Sequence, residues 1–300
     1  MTYPAGIAAL TVKTDGPDQP ILAAHPNALK TALDEVRSVI GDTPQGTVAD
    51  LQTRLAVLLG TDGKLKSQTG FRFVGKSGCE YSTIQAAVTA ASSGETIFVF
   101  PGTYTETVTT KGGVQIAGLG MIPGTDTYEM INSQVIIQAP ANQNAIIFSG
   151  GGISNLTILG VAAQPAIVGS NTIIALSHVS AYTDGGVIIA HSSSNGIHAS
   201  FCRFASMGEY VLSLNGGNHF LEYSVVDPGE EHDPIQWVGA STIYAQFCRI
   251  ASGDAGLAIP SGSTFFARLC AINGALSGAG TINVGTMSGS CTDTYYGGMF

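Results

Sequence analysis

The segment VVDPGEEHDPIQW holds the densest set of groups able to move protons: Asp227, Glu230, Glu231, His232 and Asp233, followed by Trp237, the single tryptophan. Hydrolysis of a glycosidic bond needs two carboxylates about 5–9.5 Å apart, one of them a general acid. A sugar ring resting on an aromatic beside two acids would make such a cleft. Asp227, Glu230, Glu231 and Asp233 are therefore the candidate catalytic residues. A solvated turn outweighs that reading, because Asp-Pro and Pro-Gly are turn dipeptides. The same turn accounts for Glu230, His232 and Asp233 without a metal, and no metal is expected.

Lyase chemistry would want cations against a uronate. After Lys111 the only cations are Arg203, Arg249 and Arg268. Arg203 and Arg249 each follow a cysteine, in FCRFAS and FCRIAS (201–206 and 247–252). If that cysteine faces inward, the arginine faces out, where it can hold an acidic glycan or pair with an acid such as Glu222 or Asp254. Surface pairing is the simpler account; Trp237, Arg203 and Arg249 are the candidate glycan-binding residues. His178, His191, His198 and His219 lack a ligand-like spacing and read as structural. The five cysteines, at 79, 202, 248, 270 and 291, are an odd number without zinc-like pairing, and Cys202, Cys248 and Cys270, which recur at one position of the repeat given below, read as core thiols. Gly150-Gly151-Gly152 and Gly216-Gly217 read as turns, not phosphate loops, since no helix follows them. No cofactor is expected.

The elements that must carry these groups follow from composition and repeats. Charged residues are 11% of the 300, where a soluble domain usually has roughly 25%. Thirty-nine glycines and 12 prolines, without a Gly-x-y period, exclude collagen and fall short of low complexity. A net charge of −9 argues against nucleic acid, which calls for clustered Lys and Arg. No apolar stretch is long enough to span a membrane, and no basic-then-apolar leader opens the chain, so a soluble product made without a secretory signal is expected.

The decisive feature is a repeat of the form apolar-x-large-small-x-apolar. It runs Ile153-x-Asn155-Leu156-x-Ile158, Leu176-x-His178-Val179-x-Ala181, Ala199-x-Phe201-Cys202-x-Phe204, Leu221-x-Tyr223-Ser224-x-Val226, Ala245-x-Phe247-Cys248-x-Ile250 and Ala267-x-Leu269-Cys270-x-Ile272. The fourth position steps by 23, 23, 22, 24 and 22 residues. A second apolar strand keeps the beat through Phe148, Val168, Ala190, Leu214, Val238, Ile259 and Val284. A period of this length in strands without helices is one coil of a β-solenoid. Six to nine coils at roughly 4.8 Å each predict a rod on the order of 40 Å long. Ser82-Thr83-Ile84-Gln85 reads as a capping box before a short helix with Ile84, Ala87, Val88 and Ala91 on one face, suited to cap the rod.

Residues 1–70 differ in texture. An extended arm (1–24) leads to a heptad stripe of Leu29, Leu33, Val36 and Ile40, then a second of Val48, Leu51, Leu55 and Leu58. Two helices this short are marginal alone and need partners. The division expected is residues 1–70 for attachment and oligomerisation and 71–300 for the solenoid.

At residues 81–120, YSTIQAAVTAASSGETIFVFPGTYTETVTTKGGVQIAGLG, the chain resembles the pectin-lyase-like superfamily, whose first coil carries this helix, strand and Pro-Gly-Thr-Tyr-x-Glu sequence. The resemblance implies a mainly β fold: a single-stranded right-handed parallel β-helix, here preceded by the arm and two short α-helices. The Gln-Asp pair and second Asp segment of pectinesterases are missing, so esterase activity is not carried over. AAHPNALKTALDEVRSVIG and DLQTRLAVLLGTDGKLK resemble the attachment regions of tailed-phage virion proteins. That resemblance implies a homotrimeric head fibre, decoration, tail fibre or spike, assembled in the host cytoplasm, docked through residues 1–70 to capsid, portal or tail, and adhering to host surface polysaccharide. A polysaccharide-depolymerising tailspike and a cellular carbohydrate-active β-helix are the alternatives.

Overall fold

The computed structural model describes Thr31 and residues 58–60, 62–68, 70–122, 132–208, 210–229, 232–251, 257–272 and 276–285. The chain divides into two units, Met1–Thr61 and Asp62–Phe300. In the first, Thr31 and Leu58 have helical backbone and Leu58 is exposed. The arm and the other heptad positions expected there lie outside the described residues.

The second unit is mainly β, a parallel solenoid of about eight turns with three strand-bearing faces per turn. Face 1 is a run of ten parallel strands, from Phe71–Val74 through Thr96–Val99, Gln115–Gly118, Gly152–Leu159, Ile174–Thr183, Ile197–Ser200, Asn218–Glu222, Thr242–Gln246 and Thr264–Arg268 to Thr281–Gly285. Face 2 runs from Gly102–Thr105 and Val135–Gln138, through the second halves of the two long strands, to Arg203–Ser206, Val225–Asp227, Arg249–Ile250 and Ala271–Ile272. Face 3 runs from Val108–Thr109 to Asp233–Trp237, and the parallel pair Leu257–Ala258 and Leu276–Ser277 follows it in chain order. Met121–Ile122 and Asn132–Ser133 form an antiparallel pair.

The sequence repeat is the register of this solenoid. Ile153, Leu176, Ala199, Leu221, Ala245 and Ala267 pair rung to rung on face 1, all buried. Leu156, Val179, Cys202, Ser224 and Cys248 are buried in the column after the corner, and Cys270 is partly buried. Between them Asn155, His178, Phe201, Tyr223, Phe247 and Leu269 all have φ of 49–57°. A strand alternates with period two, so positions one, three and five would face in. One left-handed residue at position three turns the chain and makes four and six the next inward positions. The motif is this kink, written six times.

The second apolar column was expected to be uniform, and it is not. Phe148, Gly169, His191, Leu214 and Trp237 are in register on face 3, whereas Val168 and Ala190 sit one position earlier and only half-buried. Val284 lies on face 1, paired with Ala267, and is exposed. Gly169 breaks the apolar pattern because a Cβ there would fall 2.7 Å from Ile174 Cδ1, whose side chain already fills that space.

The helix α1 (Ile84–Ala90) buries Ile84, Ala87 and Val88. Its N-cap is Thr83, not Ser82: Thr83 Oγ1 accepts from Ala86 N at 3.3 Å. Gln85 turns instead to the first turn of face 3, its Oε1 accepting from Thr109 N at 2.6 Å. Two further N–H groups of the first turn are held by Glu106, whose two carboxylate oxygens accept from Ile84 N and Gln85 N at 2.8 Å each. The Pro-Gly-Thr-Tyr-x-Glu segment thus closes on the helix before it, with Tyr104 buried and its hydroxyl donating to Phe100 O at 2.9 Å.

Candidate functional site: an aromatic-walled groove on face 1

Outward positions on face 1 repeat in register as strictly as the inward ones. His198, Phe220, Tyr244 and Phe266 occupy one column. The Phe220–Tyr244 and Tyr244–Phe266 rings stack at 4.9 and 4.8 Å with planes 8° and 0° apart, and His198 meets Phe220 edge-on at 4.8 Å. Two positions along, Ser177, Ser200, Glu222, Gln246 and Arg268 form a polar column. Next comes the ridge of left-handed residues. His178, Phe201, Tyr223 and Phe247 stack at 4.9, 4.8 and 4.8 Å, within 13° of parallel, and Leu269 continues the column.

The result is a row of hydrogen-bonding groups between two apolar ridges. Over the upper rungs a groove of about 780 Å³ runs along the first ridge and the polar row, lined by Phe220, Tyr244 and Phe266 with Glu222, Gln246, Arg268 and Asn283, and by none of the left-handed ridge residues. A smaller space of about 320 Å³ continues it over His198, Ser200 and Glu222. The faces of the interior rings are taken by their neighbours in the stack, so along most of their length the ridges present ring edges. A ligand lying in the groove meets aromatic side chains along one wall and donors and acceptors at the floor, one per rung of roughly 4.8 Å. Glu222 is the one carboxylate among the described residues that line the groove.

None of the described sequence candidates lines this groove. Asp227 ends a face 2 strand and Asp233 begins a face 3 strand, while Glu230 and Glu231 lie outside the described residues. Trp237 is at the far end of the Asp233–Trp237 strand. Its ring packs against the core, and its Nε1 is buried without a protein partner, as is Asp233 Oδ1. Arg203 and Arg249 share a face 2 column, two rungs apart with Val225 between them. Arg203 lies over the Tyr182 ring at 5.5 Å and donates to its hydroxyl at 3.2 Å, rather than pairing with Glu222. Among the described residues no group of three or more His, Cys, Asp and Glu could hold a metal ion.

The four histidines at 178, 191, 198 and 219 divide into two pairs. His178 and His198 begin the two ridges. His191 and His219 are buried, ring centroids 5.4 Å apart. His219 Nδ1 accepts from Ile197 N at 3.3 Å and its Nε2 is 2.9 Å from Gly216 O, which makes Nε2 the protonated nitrogen. Burial lowers both histidines, His219 to about 4. The groove itself was legible in the repeat: Phe220, Tyr244 and Phe266 each stand one residue before position one of the motif, but reading for charged groups passes over them.

No protein-family profile and no curated protein matches the sequence. Among solved structures, the chain is similar to a deglycosylated pectin methylesterase from Aspergillus niger, at 15% identity and a TM-score of 0.44, over 73% of this chain and 88% of that one. It is similar to a tailspike protein of Acinetobacter baumannii bacteriophage Fri1, a capsular polysaccharide depolymerase, at 8% identity and a TM-score of 0.37, over 77% and 66% of the two chains. A pectin methylesterase from Erwinia chrysanthemi follows at 12% identity and a TM-score of 0.34, over 68% and 89%.

Proposed function

We propose that this chain is a β-helical appendage of a tailed-phage particle, docked through residues 1–70 and oligomeric there, which adheres to surface polysaccharide along the face 1 groove without cutting it. The observation that carries the adhesive role is the continuous polar row between two aromatic ridges. An extended polymer with hydroxyls along its length matches a site that repeats every rung. The phage assignment rests on the heptad stripes ahead of a charge-poor rod. Among the described residues lining the groove Glu222 is the one carboxylate, where glycoside hydrolysis uses a pair. Among the described residues no helix is long and apolar enough to cross a membrane.

The test uses the full chain and purified surface polysaccharide of the host bacterium. Saturable binding with unchanged polymer length and no new reducing ends is expected. Because the faces of the interior rings are closed to the ligand, the floor dominates: Glu222→Ala with Gln246→Ala weakens binding about tenfold or more, whereas Tyr244→Phe leaves it within about twofold. Shortened polymer would overturn the non-cleaving role, and absence of binding would overturn adhesion at this groove.

A further inference from the structure

We infer that Cys270 and Cys248 form a thiol–disulfide exchange site in the last turns of the solenoid, with Cys270 as the attacking thiol, Cys248 as the resolving thiol and a low-molecular-weight disulfide as reactant. The two cysteines stand on neighbouring rungs of the inward column, one position before the paired Arg249 and Ala271. Cys248 N donates to Cys270 Sγ at 3.4 Å, so the sulfur of one residue sits on the backbone of the other. Neighbouring strands lie roughly 4.7–4.9 Å apart, inside the Cα separation of about 4.4–6.8 Å that a disulfide spans. Cys202 is excluded from this chemistry because Ser224 occupies the rung between it and Cys248, which puts the two thiols roughly 10 Å apart.

The pair is asymmetric in the way exchange requires. Cys248 is buried, whereas Cys270 is partly exposed. Hydrogen bonding from Cys248 lowers the Cys270 thiol, and the same contact together with burial raises Cys248. The thiolate is the nucleophile, so the exposed member is also the reactive one. Burial pushes Cys202 up to about 12, and burial raises Cys79 as well.

With oxidised glutathione the steps are as follows. Cys270 thiolate attacks one glutathione sulfur, forming a Cys270–glutathione mixed disulfide and releasing one glutathione thiolate. Cys248 then gives up its proton and attacks Cys270 Sγ, forming the Cys248–Cys270 bond and releasing the second glutathione. Two protein thiols are oxidised by two electrons, one glutathione disulfide is reduced to two thiols, and the two protons end on them. The cross-link would tie the Ala245–Cys248 rung to the one after it, close to the upper end of the face 1 groove.

The experiment treats the native full-length chain with oxidised glutathione at neutral pH and follows intact mass and peptide maps. Serine already fills this column at Ser224, so Cys248→Ser and Cys270→Ser preserve the fold, which circular dichroism checks. Wild type is expected to lose two hydrogens, with a Cys248–Cys270 cross-linked peptide that dithiothreitol reverses. Cys248→Ser is expected to stop at a glutathione adduct on Cys270, and Cys270→Ser to slow thiol loss on the order of tenfold or more. An adduct at Cys79, Cys202 or Cys291 while Cys270 stays free would overturn the assignment. So would a stable mixed disulfide on Cys270 in wild type, or no reaction at all.

Discussion

Phe201 and Tyr223 stack with ring centroids 4.8 Å apart and planes 3° from parallel, each on a backbone of positive φ, 54° and 49°. Bulky side chains avoid that conformation, at a cost of roughly 1–2 kcal/mol each. Each aromatic contact returns about 0.5–1.5 kcal/mol, and an interior ring such as Tyr223 has one on either side. The two effects are of similar size, so the stack offsets the strain of the corner. The corner also keeps its ladder bonds: Phe201 N donates to Glu222 O at 3.0 Å and Tyr223 N to Gln246 O at 2.9 Å.

Substitution of Tyr223 separates strain from stacking. Tyr223→Ala removes both ring contacts and keeps the strain, and is expected to lower stability by about 1–2 kcal/mol. Tyr223→Asn also loses the contacts but tolerates positive φ, as Asn155 does at the same position, and should cost less. Urea denaturation of the two variants side by side checks the order; Asn no better than Ala would show that the backbone there carries no strain.

Acid should weaken the fold through His219. Burial is the main cause of its depressed value, and its Nδ1 already accepts from Ile197 N, so a proton there would face a donor; His191 and His198 nearby disfavour the charge further. Above pH 6.5 the ring is neutral whether folded or unfolded, and stability does not depend on it. Between 6.5 and about 4 the unfolded chain takes up a proton that the folded one refuses, so stability falls as pH falls and levels off below that. The whole effect is on the order of 3 kcal/mol. Melting temperature measured from pH 7 to 4 should fall, and in His219→Asn it should fall by much less; an equal slope would place the titrating group elsewhere.

Glu106→Gln tests the distant cap on α1. One amide oxygen can still accept, but the second backbone N–H loses its partner, and the charge at the helix start is gone. A loss of about 1–2 kcal/mol is expected in thermal denaturation, with no change in groove binding. A neutral result would mean that Thr83 alone holds the helix start.

Gly217 lies in the turn from face 3 to face 1, with φ of +93° and room for a Cβ only 1.7 Å from Asn195 O. Gly217→Ala should therefore cost more than about 2 kcal/mol. Gly112→Ala, which meets nothing within 4 Å, is the matched control and should be close to neutral. Comparable losses in both would deny the close approach at residue 217.

The corner motif makes the solenoid legible in the sequence, because a kink that recurs every turn fixes three inward positions at once. Face 3 was only half legible. Its inward slots hold Gly169 and His191, so the apolar residues nearest in sequence, Val168 and Ala190, suggest a column one position out of register. The acidic turn stood out because charge is rare in this chain, yet Asp227 and Asp233 separate onto different faces. The aromatic column of the groove is written in the repeat, one residue before position one, but carries no charge to mark it. Phe220, Tyr244 and Phe266 look like core residues in isolation, and only the alternation on face 1 turns them outward.

The most direct test of the phage-appendage proposal is immunogold labelling of purified particles from the host with antibody against residues 71–300. Label on the particle, over capsid or tail, is the expected result, and deletion of residues 1–65 should abolish it while the solenoid still folds. Particles free of label would contradict the account.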